Sequence, residues 1–190
     1  MDNLHVLSPL GGYEKSWDGM SVTEVTDQEI VSIACAVGDE KAFASQFHKH
    51  FGKTLPKPGK VINVKGGHCM WTAPDQYWLF LNGENIDADR DIATKFGESA
   101  YTTLQTDGWV QVNLSGQRTL DILERFVPLD IAGFKVGDAT RTRAHHLPMV
   151  IARIGEDKFR LISPRSSAGS FIHALEATAQ NISTLSNSPN

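Results

Sequence analysis

The order of secondary-structure signals repeats along this chain, and that repeat constrains the fold more than any motif does. Glu29-Ile-Val-Ser-Ile-Ala-Cys-Ala-Val37 is apolar and β-branched, which predicts a buried strand. Asp39 is a good helix N-cap for Lys41 to Phe51, where Phe43, Phe47 and Phe51 recur every fourth position. Short strands are expected at 60–64, 69–72 and 77–81, then a helix over 86–96 and a strand over 100–105. After Thr106-Asp107-Gly108 the order begins again. Strand signals cover 109–114, a helix 117–126, strands 135–143, 149–154 and 158–163, and a last helix 166–180. Val37-Gly38-Asp39 aligns with Ser115-Gly116-Gln117, and Asp75-Gln-Tyr77-Trp-Leu79 aligns with Asp157-Lys-Phe159-Arg-Leu161.

Two halves of this kind are the size of split βαβ, ferredoxin-like units. Hairpins dominate and no chain of βαβ crossovers occurs, so the expected class is α+β with mainly antiparallel sheet. The expected organisation is an N-terminal arm over 1–27, one domain over 28–181 built from halves 28–106 and 108–181, and a disordered tail over 182–190. The arm carries Tyr13, Trp17 and Met20 without a local core, so it must dock on its own domain or on a partner.

Charge and chemistry narrow the function by exclusion. The 190 residues carry 18 Lys+Arg against 22 Asp+Glu, a net charge of −4, without the basic excess of a phosphate-backbone grip. No nucleic-acid partner is expected. No apolar run is long enough for a membrane helix, and the first residues lack the pattern of a secretion signal. Two cysteines, Cys35 and Cys69, make no framework and read as reduced thiols of a cytoplasmic protein.

The candidate sites are weak. His48 and His50 are two apart on a helix, His145-His146 are adjacent, and His68-Cys69 has no second ligand pair. No metal is expected. Leu114-Ser115-Gly116 lacks the nucleophile-elbow pattern, and Ser115 reads as a helix cap. Gly11-Gly12 and Gly66-Gly67 match no phosphate loop. Arg141 and Arg143 share one strand face, and Arg165 sits where a strand meets the last helix; both positions suit ion pairs or an interface. No catalytic or cofactor-binding residue is expected.

Five segments in register resemble one family. Trp71-Thr-Ala-Pro-Asp-Gln-Tyr-Trp-Leu-Phe-Leu81 resembles the W-x-G-P-D-E-W-L-L-L hallmark of the gamma subunit of heterotetrameric sarcosine oxidase. Trp109 to Gly116, Val127-Pro-Leu-Asp130, Arg141 to Val150 and Phe159 to Ser166 resemble its further segments in the same order. Ala73, Gln76, Tyr77 and Val127 depart from the pattern. The family is related to the aminomethyltransferase (glycine-cleavage T-protein) folate-binding fold.

The resemblance implies an accessory gamma subunit without a site of its own, in a complex that oxidatively demethylates sarcosine. It implies FAD and FMN on a beta subunit, NAD and folate handling on alpha, and zinc on delta, with alpha, beta and delta as partners. Trp71, Asp75, Tyr77, Trp78, Arg141, Arg143, Arg165 and Ser166 are then interface or fold-defining candidates. An alternative is a stand-alone tetrahydrofolate-binding aminomethyltransferase-like protein, with Asp107 as the one carboxylate to nominate. Another is the equivalent subunit of a related N-methyl amino acid oxidase or dehydrogenase. A relative in iron–sulfur maintenance is disfavoured because Lys65-Gly-Gly-His-Cys69 does not match its cysteine motif.

Overall fold

The structure, a computed structural model, describes residues 7–17 and 19–186. The chain opens with strands β1 (Glu14–Trp17) and β2 (Met20–Glu24). Next come β3 (Gln28–Cys35), α1 (Glu40–Phe51), β4 (Val61–Val64), β5 (Gly67–Ala73) and β6 (Gln76–Asn82). Helix α2 (Ala88–Phe96) and β7 (Ala100–Leu104) complete that stretch. The order then repeats with β8 (Trp109–Ser115), α3 (Thr119–Phe126), β9 (Ala139–Ala144), β10 (Leu147–Gly155), β11 (Lys158–Pro164) and α4 (Ala168–Ser186). Contacts divide the chain into two compact units. The first holds residues 27–107 and 137–140; the second holds those up to 26, 108–136 and 141 onward.

The first unit is built on a five-stranded sheet ordered β4-β5-β6-β3-β7. Its neighbouring strands pair antiparallel, with Val31 opposite Leu79 on one side and Leu104 on the other. Strands β5, β6, β3 and β7 stand in the order of a split βαβ unit, with β4 added at the edge. The four-residue spacing of Phe43, Phe47 and Phe51 places all three on one stripe of α1. There they meet Ile92 and Phe96 of α2 over Val31, Ile33, Tyr77 and Leu79 of the sheet. The opposite sheet face is also buried, through Ile30, Met70, Trp78 and Phe80. A strand covered on both faces needs apolar residues at successive positions, which accounts for the unbroken run Tyr77-Trp-Leu-Phe80.

The second unit has a six-stranded sheet ordered β1-β2-β8-β11-β10-β9. Helices α3 and α4 pack Ile122, Phe126, Phe171 and Leu175 over Val112, Leu114, Phe159 and Leu161. On the other face Arg160 is buried and donates to Asn113 Oδ1 at 2.8 Å and Gln111 Oε1 at 3.0 Å.

The two sheets obey one plan. β8, β10 and β11 take the places of β3, β5 and β6, but among the described residues of the second half no strand follows α4. The vacant fourth place is taken by β2 from the N-terminal arm. It pairs antiparallel with β8, Val22 opposite Leu114, as β7 pairs with β3. The arm thus docks on its own chain.

Several expectations need correction. The Cys35 N–H donates to Asp75 O at 2.9 Å and the Gly116 N–H to Asp157 O at 2.9 Å. Gly116 therefore corresponds to Cys35, and the alignment of Gly116 with Gly38 is out of register. Ser115 does not cap α3; it is the last residue of β8, paired with Ser21 and Lys158, and Arg118 holds the cap position. Asp39 precedes α1 but makes no side-chain cap bond. The strand expected from Lys135 begins only at Ala139, since Gly137 O accepts from Val61 N–H at 2.9 Å outside the sheet's own ladder. Helix α4 continues past 181 to Ser186 because Ile182 is a buried core residue. The rest of the expected tail, 187–190, lies outside the described residues, as does the start of the arm, 1–6.

Candidate partner interface

The hallmark segment Trp71 to Leu81 forms the hairpin of β5 and β6. Pro74 and Asp75 make its turn, and Asp75 takes a left-handed backbone, φ 55°, which a short polar side chain tolerates. Asp75 is exposed, and its carbonyl anchors the end of β3. Tyr77 is buried and lies 5.9 Å from Phe43, ring centroid to centroid, in a stacked pair. Burial and the nearby Asp75 charge push its phenol up from the ordinary value. Trp78 is only 5% exposed and meets Phe80 edge-on at 6.3 Å. Trp71 is half-buried against the helix side of the sheet.

The basic candidates are placed differently. Arg141 and Arg143 are exposed on β9, an outer strand of the second sheet. Arg165 and Ser166 are exposed in the short turn before α4, where Arg165 Nη2 donates to Leu7 O at 2.9 Å. So the hairpin gathers Trp71, Asp75, Tyr77 and Trp78, and β9 gathers the two arginines. Asp107 is exposed in the turn between β7 and β8.

The cysteines are the nucleophilic candidates, and both sit where the thiol is favoured over the thiolate. Cys69 is fully buried and burial pushes its thiol up. Cys35 is raised by burial first, then by the charges of Glu40, Asp75 and Asp39. Both thiols are protonated at neutral pH, so neither is an activated nucleophile. Among the described residues no three His, Cys, Asp or Glu side chains come together as metal ligands. Two glycines have packing reasons: a Cβ at Gly67 would stand 1.8 Å from Phe80 O, and one at Gly116 would stand 2.2 Å from Gly19 O. These two let neighbouring backbone segments approach closely.

The polar lock of the arm was invisible in the sequence. Glu24 is buried, and its carboxylate accepts from Ser8 Oγ at 2.8 Å and from the N–H groups of Leu10, Gly12 and Tyr13 at 2.9, 2.7 and 3.2 Å. Further along, Tyr13 Oη donates to Glu176 Oε1 at 2.5 Å and Lys15 Nζ to the same oxygen at 3.0 Å. These two bonds hold the Glu176 carboxyl below the usual glutamate range. A depressed carboxylate contributes stability above the ordinary glutamate range and loses it as pH falls through the lowered value. Wild-type protein should therefore lose melting temperature below about pH 4 more steeply than Glu176→Gln. Parallel melting curves from pH 7 to 3 would refute that role for the pair.

The sequence profile described as "Sarcosine oxidase, gamma subunit family" matches residues 36–181, most of the chain. The chain belongs to the sarcosine oxidase gamma subunit family. Its role is that of a gamma subunit in a sarcosine oxidase-like complex. Among solved structures it is similar to a chain of the heterotetrameric sarcosine oxidase from Corynebacterium sp. U-96 in complex with pyrrole 2-carboxylate. The TM-score is 0.74 at 22% identity, covering 86% of this chain and 85% of that one. It is also similar to the glycine cleavage system aminomethyltransferase T from Bartonella henselae, with TM-score 0.65 and 14% identity. That match covers 83% of this chain but 45% of the aminomethyltransferase, so the gamma-family chain spans under half of that protein. No curated protein sequence matches significantly. The α+β fold with two mainly antiparallel sheets is thus shared with both structures.

Proposed function

We propose that this chain is the accessory gamma subunit of a heterotetrameric flavoenzyme that oxidatively demethylates sarcosine. It assembles against the folate-handling alpha subunit and acts in the cytoplasm beside alpha, beta and delta. The observation that carries the reading is the family match across both halves of the fold. The chemistry of the residues agrees with it: the aromatic hallmark builds the hairpin core, and the thiols are held protonated. FAD, FMN, NAD and zinc then sit on the other subunits, and tetrahydrofolate on alpha. Among the described residues of this chain no ligand cluster fits zinc. No helix here is long and apolar enough to cross a membrane among the described residues.

Co-expression with candidate alpha, beta and delta chains tests the reading. The expected result is recovery of all four in one particle, with oxidase yield falling when gamma is omitted. Recovery of gamma alone, with full activity in its absence, would overturn it. The fold it shares with the aminomethyltransferase motivates one control, a tetrahydrofolate titration of the isolated chain read by tryptophan fluorescence. Tight saturable binding would favour the stand-alone folate protein instead.

A further inference from the structure

We infer that the outer edge of β7 receives an extended strand from another subunit of the complex, an inference that rests on the subunit reading above. The duplicated fold supplies the argument. Ala34 lies opposite both Gln76 and Tyr101, and Ser115 opposite both Lys158 and Ser21. The pairing on both sides of β3 and β8 is therefore in the same register, with Ala100–Leu104 in the place of Met20–Glu24. In the second unit the outer side of that strand is covered by β1, which pairs Glu14 with Thr23 through Trp17 with Met20. In the first unit the sheet stops at β7. Among the described residues the same position is covered by a strand in one half and by none in the other.

The backbone of β7 is presented for pairing. Gln105 N–H donates to Ile30 O at 2.7 Å and Ala36 N–H to Ser99 O at 3.0 Å. Antiparallel pairing alternates, so Tyr101 and Thr103 turn their backbone groups to β3 while Ala100, Thr102 and Leu104 turn theirs outward. Among the described residues none pairs with that outward row.

The side chains set β7 apart from the other sheet edges. Proteins blunt open edges with charge, proline or a covering segment. β1 carries Glu14 and Lys15, and β9 carries Arg141 and Arg143. β4 is flanked by Lys60 and Lys65 and bonded at Val61 to Gly137. β7 reads Ala-Tyr-Thr-Thr-Leu, strand-forming and without charge or proline. Tyr101, 71% exposed, lies on this strand, and Val37, fully exposed, follows the end of the neighbouring β3. An exposed tyrosine on an unblunted edge is the side-chain anchor that strand addition uses. The occupant is an uncharged, β-branched segment of a partner chain, matched to the uncharged Ala-Tyr-Thr-Thr-Leu edge.

The test uses the full chain co-expressed with alpha, beta and delta. Thr102→Pro removes one outward N–H that this chain does not use, together with the Thr102 Oγ1 bond to Asp89 O at 3.0 Å, so Thr102→Val, which loses the hydroxyl but keeps the N–H, is its control; Tyr101→Lys places charge on the edge. Thr102→Pro and Tyr101→Lys should each lower the yield of assembled complex by about tenfold, while Thr102→Val should not; Tyr101→Lys should leave the melting temperature of the isolated subunit nearly unchanged. In wild-type complex, hydrogen exchange at Ala100, Thr102 and Leu104 should slow relative to free gamma. If Thr102→Pro and Tyr101→Lys both assemble like wild type and those amides stay unprotected, the edge inference falls while the subunit reading stands. If wild-type gamma does not assemble at all, both fall. If free gamma dimerises and Thr102→Pro makes it monomeric, the edge takes a second copy and the inference is overturned.

Discussion

A chain that begins at Asp27 should fail to fold its second unit and should regain it when a peptide of residues 7–26 is added. The deletion strips β2 from β8 and removes Met20 and Val22 from the core. Burial of two such side chains contributes about 1.5–3 kcal/mol each. Glu24 adds hydrogen bonds to a charged acceptor, each contributing roughly 1.5–3 kcal/mol. Domain stabilities are only about 5–15 kcal/mol, so the loss is comparable to the whole. The exposed row of β8 also becomes an open, apolar strand edge, which promotes aggregation. Glu24→Ala should act in the same direction but less, because β2 keeps its ladder while Leu10, Gly12 and Tyr13 lose their acceptor. Circular dichroism and amide exchange at β8 and α4 read the outcome. An unchanged melting temperature for the truncated chain would show that the fourth strand is dispensable.

Trp78→Ala is the second large effect, and it should fall on the isolated subunit. A tryptophan on this hairpin could serve a partner surface or the protein's own interior; at 5% exposure, Trp78 serves the interior. Truncating a buried large aromatic leaves a cavity and costs about 3–5 kcal/mol. For a chain of this length that corresponds to a melting temperature lower by roughly 6–20 °C. Phe80, which meets the indole edge-on, loses its neighbour as well. Trp71→Ala should cost less, because Trp71 is only half-buried at the margin of the helix-side cluster. If Trp78→Ala left the melting temperature untouched and abolished only assembly, the assignment of Trp78 to the interior would be wrong.

Much of the fold was readable from residue patterns. The Phe43, Phe47, Phe51 stripe sits on α1 and faces the sheet, as its four-residue spacing requires. Gly155-Glu156-Asp157 turns the β10–β11 hairpin, with Gly155 opposite Lys158. The run at Tyr77 to Phe80 reads as a strand because both its faces are covered. The short strand β2 also alternates, Met20 and Val22 inward, but its third inward residue is Glu24. A carboxylate at that place breaks the apolar pattern, and its burial makes sense only with three backbone N–H groups of the preceding loop around it. Those groups converge through loop shape, which leaves no trace in spacing.

The candidate site divides along the same line. The resemblance singled out Trp71, Asp75, Tyr77 and Trp78 as a string, and as a hairpin they become a turn and its packing. The arginines of β9 and the turn before α4 were chosen as residue types, and their exposure came only with the fold. The β7 edge has no local signal, because Ala-Tyr-Thr-Thr-Leu is an ordinary strand and only the sheet order shows that no described strand lies outside it.

Helix stripes, strand runs and hairpin turns are local properties, encoded at spacings of two to four residues, so the amino-acid order alone establishes the repeated elements and their α+β class. Which strand completes which sheet is a matter of distant edges meeting. Val22 finds Leu114 and Val31 finds Leu104 through closure of long loops, and no short-range pattern records that choice. The three-dimensional fold made the arm the fourth strand of the second half, and in the first half no described segment covers the outer edge of the matching strand.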